Sequence, residues 1–273
     1  MRRRKPPLNI NGVAEKSLPH ARPTRVMLMH VTTVGSAKEI LRSGQIEMRP
    51  CRVFDNQPLT YFFVLRPAYR LKHNDEKQEH ITMFPFVFIV SPDALGTPYH
   101  IYPLDTGGAH SGAFDAKADE YVPLEDYALS NSLDHAAGHI AWLFGTAEDY
   151  YNGDVKADVM GSLQHFESEA RSCVAIAELA STGYNAPDDR ASAIEAAYFK
   201  HVKLKDHARC VVAPKQFLEE NGVENTQFLK LIREAGLDIL TYDWQPNVPP
   251  EFFRGEIRRI VRQYLVEQNI LRP

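Results

Sequence analysis

A small set of side chains in this sequence could act together if folding brings them close. His30 ends an apolar run, Val26-Met-Leu-Met-His-Val31, and Thr32 follows two residues on. Tyr61 stands in the aromatic stretch Thr60-Tyr-Phe-Phe-Val64, with Tyr69 eight residues later and Arg52 and Arg66 on either side of Tyr61. Much further along, Glu195 sits in Ile194-Glu-Ala-Ala-Tyr198. Each residue type brings one capability. A carboxylate stabilises a developing positive charge and can hold a hydroxyl. A tyrosine offers a flat apolar face with a hydroxyl to orient what lies on it. An imidazole donates a hydrogen bond to a hydroxyl, and a guanidinium grips a phosphate in two places at once. The same residues also have plain readings: core aromatics for the tyrosines, an exposed strand residue for Glu195, surface cations for the arginines, and a satisfied strand-end residue for His30.

The elements that must position them are partly legible. Residues 1–23 carry Pro6, Pro7, Pro19, Pro23 and many charges, and are expected to form a flexible, mostly extended basic arm. Order is expected to begin with the strand at 26–31. Ser36 and Glu39 have capping-box spacing, and the helix they open should stop at Gly44. Residues 60–64 and 84–90 are rich in aromatic and β-branched types and read as strands. Residues 103–130, with Asp105-Thr-Gly-Gly-Ala-His110, read as a loop whose two adjacent glycines mark a turn. Helices are expected over 133–145 and 161–181, then a polar break at 185–190 and an extended stretch over 193–204. Strands are expected at 210–213 and 237–242, with a helix between them capped by Thr226 and ended by Gly236. A last helix follows Pro249-Pro250. One side carries Phe253, Ile257, Ile260, Val261, Tyr264 and Leu265, and the other Arg254, Arg258, Arg259 and Arg262. Strands and helices without regular alternation favour an α+β fold.

With 273 residues, 44% hydrophobic and 24% charged, the chain has ordinary globular composition. A net charge of −4 makes the whole chain no polyanion binder, so a nucleic-acid contact would need a local basic patch. Three cysteines without metal-ligand spacing fit a reducing compartment, and a cytoplasmic location is expected. No apolar run approaches the roughly 18 residues of a membrane span.

The order of pieces, Met29-His-Val-Thr-Thr-Val34, Ile40-Leu-Arg-Ser-Gly44, Leu59-Thr-Tyr-Phe-Phe63, Arg66-Pro-Ala-Tyr69 and Arg190-Ala-Ser-Ala-Ile-Glu195, resembles the His-Tyr-Glu branch of the ADP-ribosyltransferase superfamily. It looks most like the DarT-type bacterial toxins that modify DNA bases and like phage-defence enzymes that modify RNA. The resemblance covers roughly residues 26–70 and 188–218. It implies a split β-sheet core with flanking helices over 24–273, carrying an insertion at about 103–187. It also implies NAD⁺ as co-substrate, with no metal. Glu195 would stabilise the oxocarbenium-like sugar left when nicotinamide departs. His30, Thr32 and Tyr61 would place the dinucleotide, and Tyr69 would stack on nicotinamide. Arg52 or Arg66 would bind the pyrophosphate, with Arg190 as a third candidate arginine. Arg254, Arg258, Arg259 and Arg262 would track a nucleic-acid backbone. A restraining antitoxin or chaperone would be a natural partner. Position 193 is Ala, so the Glu-x-Glu pair that activates a protein arginine acceptor is missing, and a nucleobase acceptor becomes more favoured.

His135 and His139 stand four apart on an expected helix, a metal-chelating spacing. No glutamate follows His135 and no third ligand is evident, so they read as a helix face.

Overall fold

The computed structural model describes residues 1, 12–69, 76–181 and 187–273. Its principal strands are β1 (Leu28–Thr33), β2 (Gln57–Val64), β3 (Pro85–Val90), β4 (His100–Tyr102), β5 (Glu195–Tyr198), β6 (Ala208–Pro214) and β7 (Asp238–Tyr242). Its principal helices are α1 (Gly12–Ser17), α2 (Val34–Ser43), α3 (Thr106–His110), α4 (Leu133–Leu143), α5 (Ala147–Asn152), α6 (Ser168–Ala177), α7 (Thr226–Glu234) and α8 (Arg254–Glu267). This is an α+β chain, as expected. No helix among the described residues is long and apolar enough to cross a membrane.

The contacts divide the chain into two compact units. The first comprises Met1–Arg25, Pro50–Val64 and Thr97–Phe199; the second comprises Val26–Arg49, Leu65–Gly96 and Lys200–Pro273. The segments of the two units interleave along the chain, and residues 103–187, the expected insertion, fall wholly inside the first.

In the first unit β5 is the middle strand, antiparallel to β2 on one side and to β4 on the other. All four of its residues are buried. The Tyr150 hydroxyl, from α5, donates to the Val64 carbonyl at 2.9 Å and accepts from the Ile194 amide at 2.9 Å. One phenol thereby fixes the end of β2 and the entry to β5, immediately before Glu195. The basic arm expected over 1–23 is corrected in part. Residues 12–17 form α1, and Val13, Ala14 and Ser17 are buried. A Cβ at Gly138 on α4 would lie 2.5 Å from the Ser17 carbonyl oxygen, so only glycine admits so close an approach. The charges of Arg2–Lys5 and the prolines at 6 and 7 fall outside the described residues.

In the second unit the strand order is β7-β6-β3-β1. The β1–β3 and β3–β6 pairs are antiparallel, and β6–β7 is parallel. Every residue of β3 is buried, as its unbroken apolar run requires. The α8 residues Ile257, Val261, Tyr264 and Leu265 are buried as the helical spacing predicts, while Ile260 is only half-buried.

Two helix starts differ from expectation. Thr33, not Ser36, caps α2, its hydroxyl accepting the Ser36 amide at 3.2 Å. Glu39 pairs instead with Arg42. Asn225, not Thr226, caps α7 by accepting from the Phe228 amide. In both, an earlier residue, three positions before Ser36 and one before Thr226, has the extended or non-helical backbone a cap requires.

Candidate active site

Strand register decides which side chains of the first unit face one another. Phe63, Glu195 and Tyr102 stand abreast across β2, β5 and β4, and Tyr61, Ala197 and His100 form the next such row. Residues two apart on a strand share a face. Tyr61, Glu195, His100 and Tyr102 therefore project from the same side of the sheet. Ala197 separates Tyr61 from His100 with only a methyl group, and their rings lie 5.9 Å apart. Phe54 closes the cluster, 4.4 Å from His100 and 5.8 Å from Tyr102, ring to ring.

Glu195 is 4% exposed, which removes the reading of it as a solvated strand residue. The Thr106 hydroxyl donates to its Oε1 at 2.6 Å, and the Thr106 amide also bonds to it. His100 Nε2 lies 3.7 Å from the same oxygen. Burial pushes the Glu195 carboxyl up to about 7 against the pull of these hydrogen bonds. Asp105, close enough to Glu195 to interact, is raised to about 6, first by burial and then by the Glu195 charge; Arg190 pulls the other way. Tyr61 is held firmly as the neutral phenol, first by burial and then by Glu195 and by a hydrogen bond with Cys51. It can donate or accept a hydrogen bond but cannot serve as a base near neutrality.

The stretch 103–130 that reads as a loop with a turn contains α3. Asp105 caps it, accepting from the Gly107 amide at 3.0 Å. A Cβ on Gly108 would lie 2.9 Å from Phe114 Cζ and 3.1 Å from Asp105 Oδ2, so the glycine is what lets this carboxylate lie over the first turn.

The remaining candidates lie on other elements, most of them in the second unit. His30 and Thr32 belong to β1 of the second unit, where the His30 ring faces Phe88 at 6.3 Å. Arg52 is exposed in the turn before β2. Arg66 is fully buried in the second unit, against its surface reading. Tyr69 is buried there too, its hydroxyl donating to the Pro250 carbonyl at 3.3 Å; this makes it a packing residue without an open ring face. Arg190 does not offer a free fork for pyrophosphate. Its Nε and Nη2 reach Asp188 at 3.0 and 2.7 Å, and its Nη1 reaches Asp105 at 3.3 Å. On α8, Arg254 pairs with Glu251 at 3.6 Å, Arg262 donates to the Arg272 carbonyl, Arg258 is half-buried and Arg259 is exposed. His139 is fully buried, 3.2 Å from the Ser17 hydroxyl, and burial lowers it to about 3. It is a packing histidine.

Five members of the cluster carry no site signal in the sequence: Phe54, His100, Tyr102, Asp105 and Thr106. His100-Ile-Tyr102 is a three-residue strand, too short for a periodicity search, yet its alternation does place the two rings on one face. An aspartate directly before Thr-Gly-Gly is a helix-cap signal that the paired glycines obscured.

No protein-family profile matches the chain, and no curated protein matches it in sequence. Among solved structures, DarT of Thermus sp. 2.9, determined in complex with NAD⁺, aligns with 81% of this chain and 96% of its own. The aligned identity is 10% and the TM-score 0.37. The chemistry of the cluster rests on its own residues.

Proposed function

We propose that this chain is an NAD⁺-dependent mono-ADP-ribosyltransferase, acting as a bacterial toxin or phage-defence effector on a nucleic-acid base. The observation that supports the reading is the buried Glu195 carboxyl. It is oriented by Thr106, flanked by Tyr61 and His100 on one sheet face, and poised to ionise near neutral pH. In the reaction the bond between nicotinamide nitrogen and ribose C1′ breaks, its electron pair leaves with nicotinamide, and the sugar carries oxocarbenium charge. An ionised carboxylate in surroundings this poor in water stabilises that charge far more than an exposed one would. A nucleophilic atom of the acceptor base then bonds to C1′, and the proton it sheds passes to solvent. The base must be single-stranded or flipped out to reach that carbon. Phe54 and Tyr61 supply aromatic surface for nicotinamide. Arg52, exposed in the turn before β2 of the same unit, is the pyrophosphate candidate. Arg254, Arg258, Arg259 and Arg262 would follow the acceptor backbone, with Arg259 the most open of them.

Incubation with labelled NAD⁺ and separate RNA, DNA and protein pools tests this. Label in RNA or DNA, lost in Glu195→Gln by about a thousandfold or more, is expected. Label in protein alone would overturn the base acceptor. Nicotinamide release with no labelled acceptor would make water the acceptor. Unchanged NAD⁺ in every pool would remove the enzymatic reading.

A further inference from the structure

Asp105 is held from several directions inside the first unit. Its amide donates to the Arg190 carbonyl at 3.0 Å. Its carboxylate caps α3 and receives Arg190 Nη1. Arg190 is fixed in turn by Asp188. Thr106, the next residue in the chain, holds Glu195 Oε1 at 2.6 Å, so the two buried carboxyls flank the start of α3, close enough to interact. Two buried carboxyls at that range do not readily carry two charges, so near neutrality they hold one proton between them. The surroundings are unequal. Asp105 has a guanidinium and backbone amides of the α3 start. Glu195 has the Thr106 hydroxyl and amide, His100 and Tyr102 from β4, and Tyr61 from β2 with Cys51 behind it. The cation thus stands on the Asp105 side and draws the negative charge there, leaving the proton on Glu195.

We propose that Asp105 is a positioning residue that shares one proton with Glu195 and, steered by Arg190, decides when the Glu195 carboxylate becomes charged. This rests on Glu195 being the group that faces the sugar, but the sharing itself is independent of turnover. Asp105→Asn is the sharp variant, because asparagine caps a helix as well as aspartate does and so preserves α3. It removes the competing charge, leaves the Arg190–Asp188 pair in place, and keeps a hydrogen-bond donor for the Glu195 carboxylate. Loss of the competing charge makes Glu195 easier to ionise.

The experiment is a pH titration of ¹³C-carboxyl-labelled glutamate by NMR, with Glu195 assigned by its loss in Glu195→Gln, alongside the pH profile of NAD⁺ cleavage. In Asp105→Asn the Glu195 midpoint should fall by about one pH unit or more, and the two-step titration should become a single step. Arg190→Gln should move the midpoint up, and Arg190→Lys should restore most of it. A Glu195 midpoint unchanged in both Asp105→Asn and Arg190→Gln, with native circular dichroism, would overturn the proposal. If the carboxyl midpoints move as expected but no variant cleaves NAD⁺, the proton sharing stands and the transferase reading fails. If both readouts move together, both stand.

Discussion

The strands β3 and β5 are both buried from end to end, and they differ in what burial does to them. In β3, Pro85-Phe-Val-Phe-Ile-Val90, every side chain is apolar and burial is favourable throughout. In β5, Glu195-Ala-Ala-Tyr198, the same degree of burial encloses a carboxyl and a phenol. The second unit uses its continuous strand as scaffold. The first encloses ionisable groups, Glu195, Asp105 and Arg190 among them, that would be better solvated outside. Perturbed ionisation of this kind is a resource for chemistry, and it is what the proposed reading of the first unit rests on.

The contrast should be broken most severely by truncating the scaffold strand. Phe88 is fully buried and lies 4.9 Å from the Phe86 ring. Phe88→Ala should lose about 3–5 kcal/mol in urea unfolding. That loss should be the same at pH 5 and pH 8, because no charge is involved. A loss that varied strongly with pH would show that the two strands are not different in kind.

The complementary prediction concerns the first unit and is about pH alone. The Glu195 carboxyl is raised from 4.5 to about 7 and Asp105 from 3.8 to about 6 on folding. An acid whose folded value is raised binds more protons folded than unfolded, so stability is greatest below about pH 4 on this account. It should decline as pH rises from there to about 7, then level off, with a total on the order of 3 kcal/mol for one such carboxyl. Urea midpoints measured across that window should show the decline, and Glu195→Gln should flatten most of it. A rise in stability over the same window, beyond what the exposed groups account for, would contradict the enclosed pair.

What the sequence made legible follows the same division. The strand at 84–90 and the apolar side of α8 were readable, because long periodic or unbroken apolar runs are set by burial alone. Tyr61 and Glu195 were nominated from sequence, and strand register does put them on one face. Their partners His100, Asp105 and Thr106 were not nominated. These meet Glu195 through a three-residue strand and a five-residue helix, whose signals are shorter than any periodicity, and across a separation of 89 residues for Thr106. Tyr69 carried the right residue type for a ring-stacking role, but nothing local to it could reveal that Pro250, 181 residues away, takes its hydroxyl.

Gly108→Ala offers a smaller perturbation with a directional consequence. The new methyl would meet Phe114 Cζ at 2.9 Å, and Arg190 stands over that ring at 6.0 Å. Displacing the ring should cost about 1–3 kcal/mol. It should also disturb the Arg190–Asp105 contact, so the pH midpoint of NAD⁺ cleavage should move with the stability. A loss of stability with an unmoved midpoint would separate the glycine's packing from the ionisation of the pair.

The gentlest comparison sets one helix cap against another. α7 in the second unit begins at a neutral cap, Asn225, whose side chain accepts from the Phe228 amide at 3.3 Å. α3 in the first begins at Asp105, whose charge belongs both to the cap and to the pair with Glu195. Asn225→Ala should lose about 1 kcal/mol, the ordinary value of a cap, and the loss should be flat from pH 4 to pH 8. Asp105→Ala removes a cap of the same geometry, yet its cost should grow smaller, or change sign, as pH rises through the ionisation of Glu195, because it also removes a charge that opposes that ionisation. Parallel pH dependences for the two alanine variants would mean that Asp105 is a cap and nothing more.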